Sequence, residues 1–201
     1  MRFLEFKEKF SNFQVITVQD MRNVFGQINT PQLHSWKQKG YIASVKRGMY
    51  VMQGDAMDIM LLANEMNDSY ISLESALSYY QMIPEITLSI TSVSKKNKES
   101  ISNIFGDFLY SKISSKLFCG FTLRESSLYP GRFIRIAEKE KALFDLVYFR
   151  TDLKEEKDFS SLRLHVEGVN VKKLKKFIAL VEAPQIRNRL DNFVAYLYAI
   201  I

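Results

Sequence analysis

Residues Thr17 to Met52 read TVQDMRNVFGQINTPQLHSWKQKGYIASVKRGMYVM. Their spacing predicts a helix, a tight turn, a second helix and a two-stranded wing. Thr17 is placed to cap a helix whose third residue is Asp20, and Met21, Val24 and Phe25 follow at the spacing of one buried stripe. Gly26 ends that helix, since glycine suits the left-handed backbone found just past a helix end. After Gln27, Ile28 and Asn29, Thr30 is placed to cap again. Pro31 then takes the first helical position, where its missing N–H costs nothing. In this second helix Leu33 and Trp36 face inward, leaving Gln32, His34, Ser35, Lys37 and Gln38 toward solvent until Gly40 terminates it. Tyr41–Val45 and Met49–Met52 are rich in aromatic and β-branched residues, and Lys46, Arg47 and Gly48 join them as a hairpin turn.

The side chains on this unit suit DNA. Gln and Asn amides can pair with adenine, while Lys and Arg can read guanine or bind phosphate, from a helix narrow enough to enter the major groove. Between Thr17 and Met52 the cations Arg22, Lys37, Lys39, Lys46 and Arg47 face the single acid Asp20. A face so charged gains affinity by releasing counterions and loses it as salt is added. The expected contacts are Arg22, Gln27, Asn29, Thr30, Gln32, His34, Ser35, Lys37 and Gln38, with Lys46 and Arg47 on flanking backbone or minor groove. The rival reading is a protein-docking module whose lysines only solubilise a surface.

At 201 residues the chain can bury a substantial core. We read two domains, 1–54 and 55–201. The net charge of +6 is uneven: residues 1–55 hold 8 cations and 4 anions, 56–159 hold 13 and 15, and 160–201 hold 7 and 3. Basic ends favour local contact with an acidic polymer over uniform stickiness. The single cysteine, Cys119, excludes an internal disulfide and lies in an apolar stretch where a buried thiol is expected. Met1–Phe10 mixes charges with its apolar residues and shows no signal-peptide core. The longest apolar run, Phe193–Ile201, is too short to span a bilayer, so a cytoplasmic protein without membrane contact is expected.

Around the motif, Phe3, Phe6 and Phe10 predict a first helix, and Val15 and Ile16 a short extended piece. Gln53–Asp55 resembles a hinge, and Ala56–Met66 a buried helix. Ser72 is placed to cap a helix with Leu73, Ala76, Leu77 and Tyr80 on one face. Alternation at Ile86, Leu88 and Ile90, at Leu117, Cys119, Phe121 and Leu123, and at Ile134 and Ile136 predicts strands, with Phe108–Ile113 a weaker one. Together they suggest a small, mostly antiparallel sheet. Helices follow over Glu138–Phe149, along Val171, Leu174, Phe177 and Val181, and along Ile186, Leu190, Phe193, Val194 and Leu197, with Pro184 between the last two. The expected class is therefore α+β: an N-terminal winged helix-turn-helix domain, then a mixed α/β domain with C-terminal helices.

Familiar catalytic signatures are absent from the sequence: no glycine-rich phosphate loop, no cysteine pair at metal spacing, no His-Glu-x-x-His and no Gly-x-Ser-x-Gly elbow. No enzyme activity and no cofactor are expected. Glu138, Glu140 and Asp145 with Lys139 and Lys141 could form a nuclease-like cluster. At helical spacing, however, they read as surface pairs worth tenths of a kcal/mol. Lys172, Lys173, Lys175 and Lys176, joined by Arg187 and Arg189, read as a solvated face or a second contact for an acidic partner.

Three stretches in order resemble the AbiEi-type antitoxins of type IV toxin-antitoxin systems. Lys39–Ile42 with Lys46–Val51 is similar to the family's "KGlI...rrGvY". Tyr70–Leu77, YISLESAL, is similar to "YiSleSAL", and Ile136–Asp145, IAEKEKALFD, to "iAtpEKALlD". The resemblance implies a winged domain that binds inverted repeats in its own promoter and represses transcription. It also implies a second domain with the antitoxic role, its motif carried here by Ser72, Glu74, Glu140, Lys141 and Asp145. The implied partners are double-stranded promoter DNA and a nucleotidyltransferase-like toxin, opposed without a stable complex being required. A stand-alone regulator with no antitoxin role is the alternative.

Overall fold

The capping signals around Thr17 set the first helices. In the computed structural model, which describes residues 2–85 and 87–201, the Thr17 hydroxyl accepts the Asp20 amide at 3.1 Å and Asp20 accepts the Thr17 amide at 2.8 Å. This reciprocal capping box opens α2 (Val18–Phe25), after α1 (Phe3–Lys9) and β1 (Ile16–Thr17). Gly26, at φ +72°, closes it. The next helix, α3 (Thr30–Gln38), starts one residue earlier than expected. Asn29, not Thr30, is the cap, its side-chain oxygen accepting the Gln32 amide at 3.1 Å, and Thr30 and Pro31 lie inside the first turn. Val24 also departs from the expected stripe and is 44% exposed, whereas Met21 is buried.

β2 (Ile42–Lys46) and β3 (Met49–Met52) complete an antiparallel sheet in the order β1-β3-β2. Both faces of this sheet are covered. Ile42, Tyr50 and Met52 pack with Phe6, Phe10, Met21, Leu33 and Trp36 in an aromatic cluster. Alternate residues Ala43, Val45, Met49 and Val51 pack into the larger core formed by the rest of the chain. A bulge interrupts the alternation. Ser44 pairs with Tyr50 but Lys46 pairs with Met49, so two residues of β2 oppose one step of β3. Such an extra residue re-aims the side chains beyond it. Lys46 thus lies opposite Met49, on the side of the larger core.

After an exposed turn at Gln53–Asp55 come α4 (Ile59–Met66), β4 (Ser69–Ile71), α5 (Leu73–Tyr79), β5 (Ser89–Ser94), β6 (Glu99–Asn103), β7 (Gly106–Lys112), β8 (Phe121–Glu125) and β9 (Phe133–Ala137). The chain ends in α6 (Lys139–Phe149), α7 (Glu156–Ser160), α8 (Val171–Ile178) and α9 (Pro184–Ile200). The class is mixed α+β with two sheets. The second sheet is larger than expected and mixed: it has six strands in the order β6-β7-β5-β4-β9-β8, with β4–β5, β6–β7 and β8–β9 antiparallel and β4–β9 and β5–β7 parallel. Its expected strands also move. Ile86 lies outside the described residues, Leu88 is 97% exposed, and β5 begins only at Ser89. Leu117 sits in a 3-10 turn (Ser115–Leu117), so the alternating stretch becomes a strand only from Phe121. Cys119 is half-buried rather than buried.

No described helix is long and apolar enough to cross a membrane. One close approach fixes how β8 enters the core. Gly120 has φ +76°, and a Cβ there would lie 2.6 Å from the Phe177 ring and 3.1 Å from Cγ of Lys141. Gly120→Ala is therefore expected to destabilise the protein by about 1–3 kcal/mol, combining a left-handed backbone with overpacking. Urea denaturation reads this directly, and an unchanged midpoint would contradict the packing at this turn.

Candidate nucleic-acid interface

Leu33 and Trp36 anchor α3 against the aromatic cluster, where Trp36 lies 5.1 Å from the Phe6 ring and 5.2 Å edge-on from Phe3. Two buried anchors on a helix of this length leave most of its circumference outside. His34, Lys37 and Gln38 are exposed, as is Thr30 at its start, and Gln32 and Ser35 are half-buried. Arg22 and Gln27 are exposed on α2 and the turn after it. Asn29 is exposed too, but its side-chain oxygen is held by the cap. Asp20, the acid of this segment, is held by the capping box, so its carboxylate turns back on the helix start.

The two cations of the β2–β3 hairpin separate. Arg47 is exposed at the hairpin turn. The Lys46 ammonium, re-aimed by the bulge, lies 2.7 Å from the Glu99 carboxylate of β6 and 3.4 Å from the Met66 carbonyl. Beside it, the Asn103 side-chain amide donates to the Val45 carbonyl at 3.1 Å. One edge of the six-stranded sheet is thereby stitched to the β2–β3 hairpin. The sequence reading did not identify Glu99 as the partner of Lys46.

Far from α3, the motif residues of the second segment divide among different contacts. Asp145 is fully buried and is reached by three side chains. Lys141 pairs with one carboxylate oxygen, while the Tyr70 and Ser72 hydroxyls donate to the other at 2.9 and 2.7 Å. Lys141 is likewise 0% exposed, with its ammonium 4.5 Å from the Phe144 ring centre and 5.6 Å from that of Tyr70. Aromatic faces attract a cation, which offsets part of its lost hydration. Burial pushes the Asp145 carboxyl above its ordinary range, against the opposing pull of Lys141 and the two hydroxyls. The Tyr70 hydroxyl is pushed up by burial and by the adjacent Asp145 charge.

This arrangement corrects three expectations. Lys141 and Asp145 are an interior pair, not a surface pair. Ser72 occupies the cap position of α5 but gives its hydroxyl to Asp145. Glu138 pairs with Lys173 instead of Lys141, and Glu74 lies 3.7 Å from Arg150. Glu140 accepts the Asn170 amide at 2.9 Å, bracing the start of α8. Of the acids of the supposed nuclease-like cluster, Glu138 and Glu140 both face Lys173, at 2.8 and 3.8 Å, while Asp145 turns into the interior. Tyr70 opens the second AbiEi-like stretch but is not among the motif residues expected to carry a role, although Tyr70 and Ser72 are two residues apart and strand periodicity puts such residues on one face.

Near Ser72 the backbone is strained, with Leu73 at φ +54°. Thr91 over-determines the turn: its hydroxyl donates to the Ser72 carbonyl at 2.7 Å and accepts the Ser75 amide at 3.0 Å. Of the C-terminal cations, Arg189 donates to the carbonyls of Val147 and Tyr148 at 2.9 Å and Arg187 to that of Val181. Lys175 lies over the Tyr198 ring, and Lys172 and Lys176 are exposed. Among the described residues no group of three or more His, Cys, Asp and Glu side chains is arranged to hold a metal ion.

Removing one member of the interior pair strands the other charge without water. Lys141→Met is expected to cost about 3–5 kcal/mol, and Lys141→Met combined with Asp145→Leu clearly less than the sum of the single changes. A double-mutant cycle in urea measures the coupling, and simple additivity would refute it.

No model of a known protein family matches this chain, and no curated protein matches it.

Proposed function

We propose that this protein is a DNA-binding transcriptional repressor. Residues 1–54 act as a winged helix-turn-helix domain, with α3 in the major groove and Arg47 of the β2–β3 wing against the flanking backbone. The observation that carries this reading is the exposed edge of α3. His34, Lys37 and Gln38 stand clear of the core, with Arg22 and Arg47 exposed on neighbouring elements and Asp20 folded back into its cap. Helix, turn, helix and hairpin follow one another in the order such readers use. Cations and amides on one helix edge suit a polyanion whose base edges carry donors and acceptors.

In this reading residues 55–201 form a second, antitoxin-like domain. Support for that part comes from the three AbiEi-like stretches. It gives the protein a promoter as its own target and a nucleotidyltransferase-like toxin as the agent it opposes. No cofactor and no catalytic step are assigned to the chain. The buried residues of the second and third stretches then serve as a brace between β4, α5 and α6, which holds the domain together without needing a ligand.

Gel shifts on the upstream DNA of the gene, repeated across salt, test the reading. Arg47→Ala is expected to weaken binding and to make the salt dependence shallower by about one phosphate contact, a slope change of about 0.9. His34→Ala and Gln38→Ala are expected to change which sequences are selected from a random pool, with about 1–3 kcal/mol of discrimination lost per base contact. Unaltered slope and unaltered preference would reject the assignment of these residues.

A further inference from the structure

The turn between β5 and β6 reads Lys95-Lys96-Asn97-Lys98, and all four residues are exposed. It is a shaped turn. The Ser94 hydroxyl donates to the Asp68 carbonyl at 2.8 Å and accepts the Lys96 amide at 3.1 Å, while Lys112 of β7 donates to the Asn97 side chain at 3.0 Å. Lys95 rests its ammonium 5.0 Å from the Phe118 ring. Cations are thus gathered on one corner of the second sheet, at the end of the strand that carries Glu99.

Glu99 is the acid that follows this turn, and it is the residue that meets Lys46 of the wing. Its same carboxylate oxygen also takes the Asn67 side-chain amide at 3.3 Å. Two consequences follow. The wing and the lysine turn are tied to one corner of the molecule through a single ion pair. The carboxylate that would repel a polyanion there is neutralised from within, while the charge of Lys46 is spent on it. Arg47 next to Lys46, and Lys98 next to Glu99, both remain exposed.

We infer that a duplex engaged by α3 and Arg47 continues over the β5–β6 turn, where Lys95, Lys96 and Lys98 bind its phosphates. Lys46 acts there as the counter-ion of Glu99, a positioning residue and not a DNA contact. This rests on the reading of residues 1–54 as the DNA-binding unit. The lysines reach backbone oxygens only, so they add affinity and salt dependence without sequence preference.

The test uses the full chain and a fluorescein-labelled DNA duplex of mixed sequence, several helical turns long, with anisotropy followed as KCl is raised. Lys95→Ala/Lys96→Ala/Lys98→Ala is expected to weaken binding at least tenfold at low salt and to make the slope of log K against log salt shallower by about 2–3, near 0.9 per lost phosphate contact. Lys172→Ala/Lys176→Ala on α8 should leave the slope as it is. Lys46→Ala is expected to weaken binding, and adding Glu99→Gln to restore it to within about twofold, because the uncompensated acid is gone. Thermal melts establish that each variant folds.

If the triple change leaves the slope untouched while Arg47→Ala lowers it, the lysine turn is a solvated surface: this inference fails and the DNA-binding reading stands. If Lys46→Ala/Glu99→Gln stays as weak as Lys46→Ala, Lys46 touches the duplex itself and its counter-ion role is overturned. Wild-type protein that binds no duplex at any salt concentration overturns both this inference and the reading beneath it.

Discussion

Asp145 is a carboxylate with no access to water, and such a group must either be matched on every side or be removed. Here it is matched: an ammonium on one oxygen, two hydroxyls on the other. The partners come from β4, from the adjoining start of α5 and from one turn back on α6, so two segments more than 70 residues apart in sequence have to arrive together. Directional bonds of this kind select one arrangement among many that would bury the same apolar area. The strained turn at Leu73 belongs to the same constraint, because it delivers the Ser72 hydroxyl while Thr91 holds its carbonyl.

The same side-chain type meets three fates in this chain. Lys141 is enclosed by aromatic rings and serves the fold. Lys46 is half-buried and satisfies a neighbour across the two sheets. Lys37 and Arg47 stand in solvent, where a cation keeps its full charge for a partner. Counting cations along a sequence treats all of these alike, and only burial and pairing separate them. A charged residue is informative about binding when nothing inside the molecule has already claimed it.

Much of the first segment was legible because its signals are local. The capping pair Thr17 and Asp20, the glycine at 26 and the anchors Leu33 and Trp36 act within a few residues of one another, and they specify α2 and α3 to within one position. The errors at Asn29 and Val24 are of that size. The second sheet was much less legible. β4 is three residues long, β6 reads ESISN with little apolar content, and β5 is rich in serine, so their strand character comes from neighbours paired across the sheet. The depth of Lys141 was hidden for a related reason. Its helix carries lysine and aspartate at surface-like spacing, and only the later arrival of Phe177 and the close passage of Gly120 put that face inside. Likewise a bulge cannot be read from alternation, and it moved Lys46 from the hairpin's surface to Glu99.

The small sheet is covered on both sides, by aromatic side chains of the first helices on one face and by the larger core on the other. Cutting the chain after β3 would leave Val15, Val45, Met49 and Val51 facing water, a sticky stripe on a fragment too small to rebury it. The first 54 residues thus depend on the rest of the chain to cover one face of their sheet.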